Sequence, residues 1–145
     1  MFLVKVRTHF SAAHRLCRPG LSDAENFALY GKCSNPNSHG HNYDVEVAVA
    51  GDIDPDTGMV VNFYELTEAV EREIVSRVDH KHLNMDVDFL QGVIPTAENM
   101  ARIFWERLAP HVRGGRLHSI TIGERDINII TYYGPQPAGA PLPRE

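Results

Sequence analysis

A histidine pair with one glycine between its members, His39 and His41, has the residue type and spacing of a pair of metal ligands. Residues two apart on a β-strand project to the same face, so both imidazoles can point at one ion, and Gly40 lets the backbone approach closely. Such a pair alone is equally consistent with ordinary surface or core histidines. His14 is the further signal, because it follows a predicted strand whose end can lie beside the start of an antiparallel partner. Three imidazoles leave a fourth zinc position open, as in catalytic zinc sites.

Cys33 is separated from His39 by five residues that include an Asn-Pro-Asn turn. As a fourth ligand it would close a structural site. At a few ångströms from the metal, its thiolate would be stabilised by the positive field and could act as a base or nucleophile. The spacing leaves both roles open. Cys17 has no such neighbours in the sequence, and we expect it to be a small buried apolar residue.

Two further polar clusters could assist such a site. Asp79 directly precedes His80, and an aspartate beside a histidine can fix its tautomer. Adjacent residues do not face each other on a helix, so this pairing requires a loop. His80 and His82 form a second spaced pair, for which metal binding is a rival interpretation and a solvated cluster at a helix terminus the favoured one. Taken alone, Glu98 complements a helix dipole and Glu124 is a solvated turn residue.

Alternating apolar residues predict the strands that must position these side chains. Residues 2–11 and 42–50 alternate with a period of two, as half-buried strands do. Residues 116–123 and 127–134 are two shorter strands of the same character. The predicted hairpin turn between them consists of Glu124, Arg125 and Asp126.

Apolar residues at steps of three and four predict two helices. One covers residues 63–78, and the other begins after its N-cap Thr96 and includes Leu108. The order ββααββ predicts an α+β fold with a four-stranded antiparallel sheet and two helices on one face. The edges of such a sheet are normally covered, charged or paired with another subunit. The predicted buried stripes are Phe63, Leu66, Val70, Ile74 and Val78 on the first helix, and Met100, Ile103, Phe104 and Leu108 on the second.

Length and composition restrict the class of protein. The 145 residues suit a single domain over residues 1–134, and the tail 135–145, with four prolines and no periodicity, is predicted to be disordered. The net charge of −5 argues against nucleic-acid binding, and no apolar run approaches the roughly 18 residues of a membrane span. The N-terminus lacks the pattern of a signal peptide, and two cysteines are too few for a disulfide scaffold. We therefore expect a cytoplasmic protein that acts on a small molecule.

Taken together, these motifs resemble those of the 6-pyruvoyl-tetrahydropterin synthase family. The resemblance covers nearly all of residues 4–134 and rests on FSAAHRL, LSDAENFALYGKCSNPNSHGHNY, IDPDTGMVVNF, VDHKHLN, PTAEN and the glutamate of IGERD. It implies the family's ββααββ T-fold, assembled as trimers that form a barrel and stack into a homohexamer with active sites between subunits. Such an assembly would cover the sheet edges that the predicted fold leaves open.

The resemblance also implies a role for each candidate residue. A relay of Asp79 and His80 would reach Cys33 from a neighbouring subunit. A carboxylate would accept the amide N–H and the exocyclic amine of a pterin side by side. The implied site residues are the zinc ligands His14, His39 and His41, the catalytic residues Cys33, Asp79, His80 and Glu124, and the substrate-binding residues Glu98, Thr96 and Glu124.

The reaction implied by the resemblance is that of a carbon–oxygen lyase acting on 7,8-dihydroneopterin triphosphate. Internal redox tautomerisation and loss of triphosphate would give 6-pyruvoyl-tetrahydropterin, with cations supplied by Lys32, Arg15, Lys81 or Arg125. The 6-carboxytetrahydropterin synthase of the queuosine pathway resembles the chain around the histidines, but usually has a shorter spacing from the cysteine to the His-x-His pair. The five-residue spacing here favours the pyruvoyl product. A non-catalytic module with four zinc ligands is an alternative of another class.

Overall fold

Two long antiparallel strands form the centre of the sheet. The computed structural model describes residues 1–125, 127–137 and 139–141. Strands β1 (Phe2–His14) and β2 (His39–Gly51) pair along their whole length, and His14 lies opposite His39 in the last pair. The predicted alternation is confirmed. Strand β2 begins three residues earlier than predicted, so both members of the His-x-His pair lie inside it.

The sheet has five strands in the described part of the chain, in the order β3-β1-β2-β4-β5. Strands β4 (Arg116–Glu124) and β5 (Asn128–Tyr132) form the predicted antiparallel hairpin beside β2. Strand β3 (Lys81–His82) pairs in parallel with β1 at Ala12 and Ala13. The prediction of a four-stranded antiparallel sheet is therefore wrong, because the sheet is mixed and has one more strand. A strand of two residues has no side-chain alternation to detect.

The helical segment predicted over residues 63–78 is present, with an irregularity in its middle. It consists of α2 (Phe63–Val70), a π-helical turn (Glu71–Val75) and α3 (Ser76–Val78). The predicted stripe is buried except at its first member, Phe63, which is 56% exposed. Phe63 directly follows the N-cap Asn62, at the solvent-facing start of the helix.

The second predicted helix is α4 (Ala97–Leu108), and its predicted N-cap is confirmed. The Thr96 side chain accepts a hydrogen bond from the backbone N–H of Asn99, which satisfies one of the free donors of the first turn. All four predicted stripe residues of α4 are buried. Short 3₁₀ turns precede and follow α4, at Asp88–Leu90 and Ala109–His111.

The hydrophobic core lies between these helices and one face of the sheet, as in an α+β fold. Burial of this apolar surface is the main favourable term in folding. The two histidines of β2 lie on the same face as its core residues, at the end of the strand where the core stops. The largest fully buried side chains are Tyr43, Phe10, Phe104, Ile74, Leu83, Leu90, Met100, Leu108, Ile120 and Ile122.

Between β1 and β2 the chain forms a helix that the sequence analysis missed. Helix α1 (Asp23–Tyr30) is followed by a 3₁₀ turn at Gly31–Ser34. The signal was present as a capping box, in which the Ser22 side chain accepts from the Glu25 N–H and the Glu25 carboxylate accepts from the Ser22 N–H. The sequence of α1 is weakly amphipathic and shows no apolar stripe. In the structure its Phe27 and Leu29 side chains are accordingly exposed.

The chain leaves β5 by passing over α4. Gly134 is buried at φ 80°, and a Cβ there would clash with the Trp105 ring, so the glycine allows this close approach. The boundary between the domain 1–134 and the tail 135–145 remains a prediction, since residues 138 and 142–145 lie outside the described residues, as does Asp126 of the predicted turn. Of the helices described, none has the length and apolar character to cross a membrane.

Candidate metal centre

Three imidazoles converge where the β1–β2 ladder ends. His14 and His39 face each other in the final pair, and His41 lies two residues further along β2 on the same face. The His39 Nε2 atom lies 3.1 Å from the Nε2 atoms of both His14 and His41. The prediction that the end of the first strand brings His14 to the His-x-His pair is confirmed.

The tautomer of His14 follows from its hydrogen bonds. Its Nδ1 atom lies 3.2 Å from the backbone carbonyl oxygen of Pro95, which can only accept, so Nδ1 carries the proton. The Nε2 lone pair then points into the cluster, in the arrangement by which metal-bound histidines are commonly oriented. Burial lowers the pKa of His14, which favours the neutral imidazole that a metal requires.

The donor set fits a zinc ion. Zinc–nitrogen bonds of about 2.0–2.1 Å in a tetrahedron place the nitrogens about 3.3–3.4 Å apart, close to the observed 3.1 Å. The His14, His39 and His41 nitrogens and the Cys33 sulfur all lie within 4.8 Å of one another. Nitrogen lone pairs that converge in this way are unfavourable without a cation or a proton between them, and nitrogen and sulfur ligands are those that zinc prefers.

Cys33 lies in the 3₁₀ turn after α1, and its backbone carbonyl accepts a hydrogen bond from the Leu16 N–H at 2.7 Å. This bond ties the turn to the chain that continues from β1. Burial, and then the negative charge of Glu124, raise the pKa of the Cys33 thiol. Both roles left open by the sequence, fourth ligand and neighbouring base, fit a sulfur at this distance.

Glu124 is the last residue of β4, where it pairs with Tyr43 of β2, and its side chain reaches the three histidines. Its own sequence context indicated only a solvated turn residue. Its Oε1 atom lies 3.3 Å from the Nε2 of His41 and 3.7 Å from that of His14. The same oxygen accepts a hydrogen bond from the Tyr43 hydroxyl at 3.4 Å. A carboxylate is therefore held beside the histidines.

Asp79 and His80 pair with each other in a turn, as the pairing of adjacent residues requires. Asp79 Oδ2 lies 2.8 Å from His80 Nδ1, and Asp79 Oδ1 accepts from the Ser11 N–H at 2.9 Å. The Ser11 N–H, and then His80, lower the pKa of Asp79. His80 has a positive φ of 55°, its N–H donates to the Ser11 carbonyl, and its side chain is 83% exposed. The aspartate thus orients an imidazole that projects outward.

The second spaced histidine pair does not form a metal site in the described residues. The His82 Nδ1 atom accepts from the Asn84 N–H at 3.3 Å, so Nε2 carries the proton and donates to the Ser38 hydroxyl at 2.8 Å. His80 is engaged with Asp79 instead. His82 therefore fastens β3 to the residue that precedes His39, and the rival interpretation of a metal pair is not supported.

Thr96 and Glu98 lie at the N-terminus of α4, outside the group of residues that line the main cavity of this single chain. Thr96 is used as the N-cap, and Glu98 is exposed in the first turn. The preceding residue, Pro95, accepts a hydrogen bond from His14 Nδ1, so this helix end is attached to the metal centre through the ring nitrogen that does not face the cluster. Neither residue lines the cavity of this single chain, and their role in substrate binding stays a prediction.

The cluster opens into a cavity of about 1090 Å³. Cys33, His39, His41, His80 and Glu124 all line it. Three of the four cations proposed for triphosphate binding line it too, namely Lys32, Lys81 and Arg125. The fourth, Arg15, is engaged elsewhere, because its guanidinium donates to the Ser34 carbonyl and to Asp23.

Tyr43 is the residue at the centre whose contact the sequence analysis missed. It lies in the strand predicted over residues 42–50, and it is fully buried. Its hydroxyl nevertheless lies 3.3 Å from His14 Nδ1. The signal was the same two-residue period that selected the histidines, since positions 39, 41 and 43 share one face.

Comparison with known proteins supports the family resemblance of the sequence motifs. The family model described as 6-pyruvoyl tetrahydropterin synthase matches residues 3–135, and the chain belongs to this family. The human 6-pyruvoyl tetrahydrobiopterin synthase is 47% identical over 131 residues, which cover 90% of each chain. A putative 6-carboxy-5,6,7,8-tetrahydropterin synthase of Archaeoglobus fulgidus is 32% identical, over 86% of this chain and 89% of that protein.

A solved structure gives the same result for the fold. The 6-pyruvoyl tetrahydropterin synthase of Caenorhabditis elegans superposes with a TM-score of 0.86 at 39% identity, over 92% of this chain and 96% of that one. The Plasmodium falciparum protein of the same name has a TM-score of 0.63 at 19% identity, which supports the shared fold alone. The T-fold implied by the resemblance is therefore the fold of this chain, with α1 and β3 added to the ββααββ order.

Proposed function

We propose that this chain converts 7,8-dihydroneopterin triphosphate to 6-pyruvoyl-tetrahydropterin with release of triphosphate. The observation that carries the proposal is the three-histidine cluster with Cys33 beside it, at the wall of a cavity, in a member of this family. The reaction is an isomerisation followed by an elimination. Hydrogen moves from the side chain to the ring while the triphosphate leaves, so no external oxidant or reductant is needed.

Zinc is the proposed metal, held by the Nε2 atoms of His14, His39 and His41. The nitrogen separations and the lowered pKa of His14, caused by burial, support this choice. When bound, zinc supplies a Lewis acid that polarises substrate oxygens and a positive charge that stabilises a nearby thiolate. Proton transfer and substrate binding are assigned to the side chains around the metal.

Cys33 is proposed as the base that accepts a proton from the side chain of the substrate. Its position within 4.8 Å of the imidazole nitrogens and in the cavity wall supports this role. Asp79 and His80 are proposed to take the proton onward. Their 2.8 Å contact leaves the imidazole oriented by the carboxylate, and its exposure leaves it free to meet a neighbouring subunit.

Glu124, Glu98 and Thr96 are proposed to bind the pterin. The Glu124 carboxylate lies in the cavity beside the histidines, where it can accept the two N–H groups of a pterin edge. Glu98 is exposed at a helix end and Thr96 is partly exposed there, as expected for residues that serve a site shared between subunits. The triphosphate is proposed to contact Lys32, Lys81 and Arg125, which line the same cavity.

A homohexamer, a dimer of barrel-forming trimers, is the proposed assembly. The outer edge of β1 is paired with β3 only at Ala12 and Ala13, and β5 forms the opposite edge of the sheet in the described residues. Such edges favour pairing with another strand. Exposed Phe2 and Ile129 lie at these edges and support an interface there.

The single domain over residues 1–134 and the cytoplasmic location are proposals as well. Cys17 and Cys33 are both free thiols, which supports a reducing compartment.

A second candidate activity is that of a 6-carboxytetrahydropterin synthase, favoured by the similarity to the Archaeoglobus fulgidus protein of that putative name. The two activities differ in their products. Incubation of the zinc-loaded protein with 7,8-dihydroneopterin triphosphate, followed by mass spectrometry, distinguishes them. We expect 6-pyruvoyl-tetrahydropterin and free triphosphate, and a carboxy product with acetaldehyde would reject the first activity in favour of the second.

A further inference from the structure

Tyr43 is fully buried, and none of the roles assigned above uses its hydroxyl. The side chain follows His41 by two positions in β2 and projects to the same face. Its ring stacks on Phe10 with 4.8 Å between centroids, which accounts for the aromatic part of the residue. The hydroxyl needs a separate explanation, because phenylalanine would fill the same space.

The hydroxyl lies between His14, a proposed metal ligand, and Glu124, a proposed substrate-binding residue. It is 3.3 Å from His14 Nδ1 and 3.4 Å from Glu124 Oε1. His14 Nδ1 carries one proton, since the Pro95 carbonyl can only accept. That single N–H is shared in a bifurcated hydrogen bond between the Pro95 oxygen at 3.2 Å and the Tyr43 oxygen at 3.3 Å, so Tyr43 accepts from it. The single hydroxyl proton is then donated to the Glu124 carboxylate. A chain of hydrogen bonds therefore runs from His14 through Tyr43 to Glu124.

We propose that Tyr43 is a positioning residue whose one hydroxyl holds both His14 and Glu124, and so fixes the metal centre and the pterin-binding carboxylate relative to each other. All three side chains are wholly or largely buried, where such a network restricts motion more than it would in water. The Glu124 half of this inference rests on the proposed function. The His14 half rests only on the metal centre.

The variant Tyr43→Phe tests the proposal, since it keeps the stacked ring and removes only the hydroxyl. The zinc dissociation constant, measured by competition with a chromophoric chelator, is expected to rise about tenfold. This is the low end of the usual effect of removing a hydrogen-bond partner from a metal-binding histidine, because the Pro95 carbonyl still holds His14. The KM for 7,8-dihydroneopterin triphosphate is expected to rise several-fold at saturating zinc, with a smaller fall in kcat. Tyr132→Phe is the matched control, since Tyr132 packs against Trp105 away from the centre.

Each outcome decides the proposal. A rise in both the zinc dissociation constant and KM, absent in the control, supports it. If only one of the two changes, the hydroxyl holds one partner and the proposed coupling is wrong. If neither changes and only the unfolding temperature of the metal-free protein falls, Tyr43 is a packing residue and the proposal is rejected.

A measurement on the unaltered tyrosine covers the case in which Tyr43→Phe does not fold. In NMR spectra of the zinc-loaded protein, the Tyr43 hydroxyl proton is expected in slow exchange and its resonance should move in Glu124→Gln. The matched control is Asp44→Asn, which neutralises a neighbouring carboxylate of the same cavity. A hydroxyl resonance that is unmoved by Glu124→Gln, or is moved equally by Asp44→Asn, overturns the proposal.

Failure of the proposed function would be recognised separately. If wild-type protein made no pyruvoyl product, the zinc dissociation constants and the hydroxyl resonance would still report on the link from His14 to Glu124. If wild-type protein made the product and these readouts did not change, the inference about Tyr43 alone would fail.

Discussion

The Nε2 atoms of His14 and His39 lie 3.1 Å apart across the last residue pair of the β1–β2 ladder. Two nitrogen donors that are distant in sequence are thus brought to one point by the register of a single pair of strands. The register of β1 against β2 therefore brings His14 to the His-x-His pair.

His14→Ala should abolish zinc binding while leaving the fold intact. Zinc stabilises the folded state by mass action, so the rise in unfolding temperature on adding zinc should disappear in the variant. Comparing each variant with and without zinc separates this effect from the loss of a buried side chain. The matched control is His9→Ala on the exposed face of the same strand, which should keep the full zinc-induced rise. A normal rise in His14→Ala would mean that His14 is not a ligand.

Cys33→Ala should retain about one zinc per chain and lose turnover, because the base is removed and the three imidazoles remain. Loss of a general base typically lowers the rate about 10²- to 10⁴-fold, which is the fall in kcat that we expect. Zinc content by atomic absorption and product formation are measured on the same sample, with Cys17→Ala as the control. Loss of zinc along with activity would instead favour the non-catalytic module in which Cys33 is the fourth ligand.

Asp79→Asn should lower kcat with little effect on zinc affinity. The carboxylate holds His80 at 2.8 Å, and an amide cannot stabilise an imidazolium in the same way. We expect a fall in kcat of about 100-fold, within the usual range for proton-transfer groups. Asp86→Asn is a suitable control, since that carboxylate accepts from the His82 N–H and does not contact His80. An unchanged kcat in Asp79→Asn would exclude the relay.

Stability at acid pH should depend in part on Glu46, on the polar face of the sheet. Partial burial raises the pKa of Glu46, but hydrogen bonds and the charges of Lys5 and Arg7 outweigh it and hold that pKa below its usual value of 4.5. The folded state therefore binds fewer protons than the unfolded state in acid. The stabilisation is fully present above pH 4.5 and is lost as the pH falls through the lower, folded-state pKa.

Glu46→Gln should therefore lose about 1 kcal/mol or less of unfolding free energy at neutral pH, and show a smaller further loss in acid than wild type. Urea unfolding of the metal-free protein at a series of pH values measures this without the added pH dependence of zinc binding, and protonation of the histidines is common to wild type and variant. Glu68→Gln, at an exposed position of α2, serves as the control. Parallel pH profiles for wild type and Glu46→Gln would contradict the prediction.

The centre could be predicted from the sequence because its ligands obey a strand period. His39 and His41 share a face by alternation, and the pairing of β1 with β2 brings in His14. Glu124 could not be placed without the resemblance, since its distance from the histidines depends on the register of β4 against β2. The tyrosine hydroxyl was missed for a different reason, because a period identifies a face and says nothing of which polar atoms meet on it.

The parts of the fold that were missed are those that side-chain patterns do not encode. Strand β3 is defined by two backbone pairings with β1, and the π-helical turn at Glu71–Val75 interrupts a stripe that remains apolar. Helix α1 has a capping box but exposes Phe27, so its apolar residues gave no consistent face. Phe63 was assigned to the buried stripe because periodicity does not reveal that the first residue after the N-cap is exposed.

The closed end of the β1–β2 ladder also bears on how such a protein can evolve. The 24 residues between His14 and His39 leave the ladder and return to it at the same pair, and they carry Cys33. The entropic cost of closing a loop grows slowly with its length. Insertions, deletions or replacement of the segment between the two strands would therefore leave the three imidazoles in place. A lineage could therefore exchange the acid–base group by altering the one segment between these strands, and inherit the metal site unchanged.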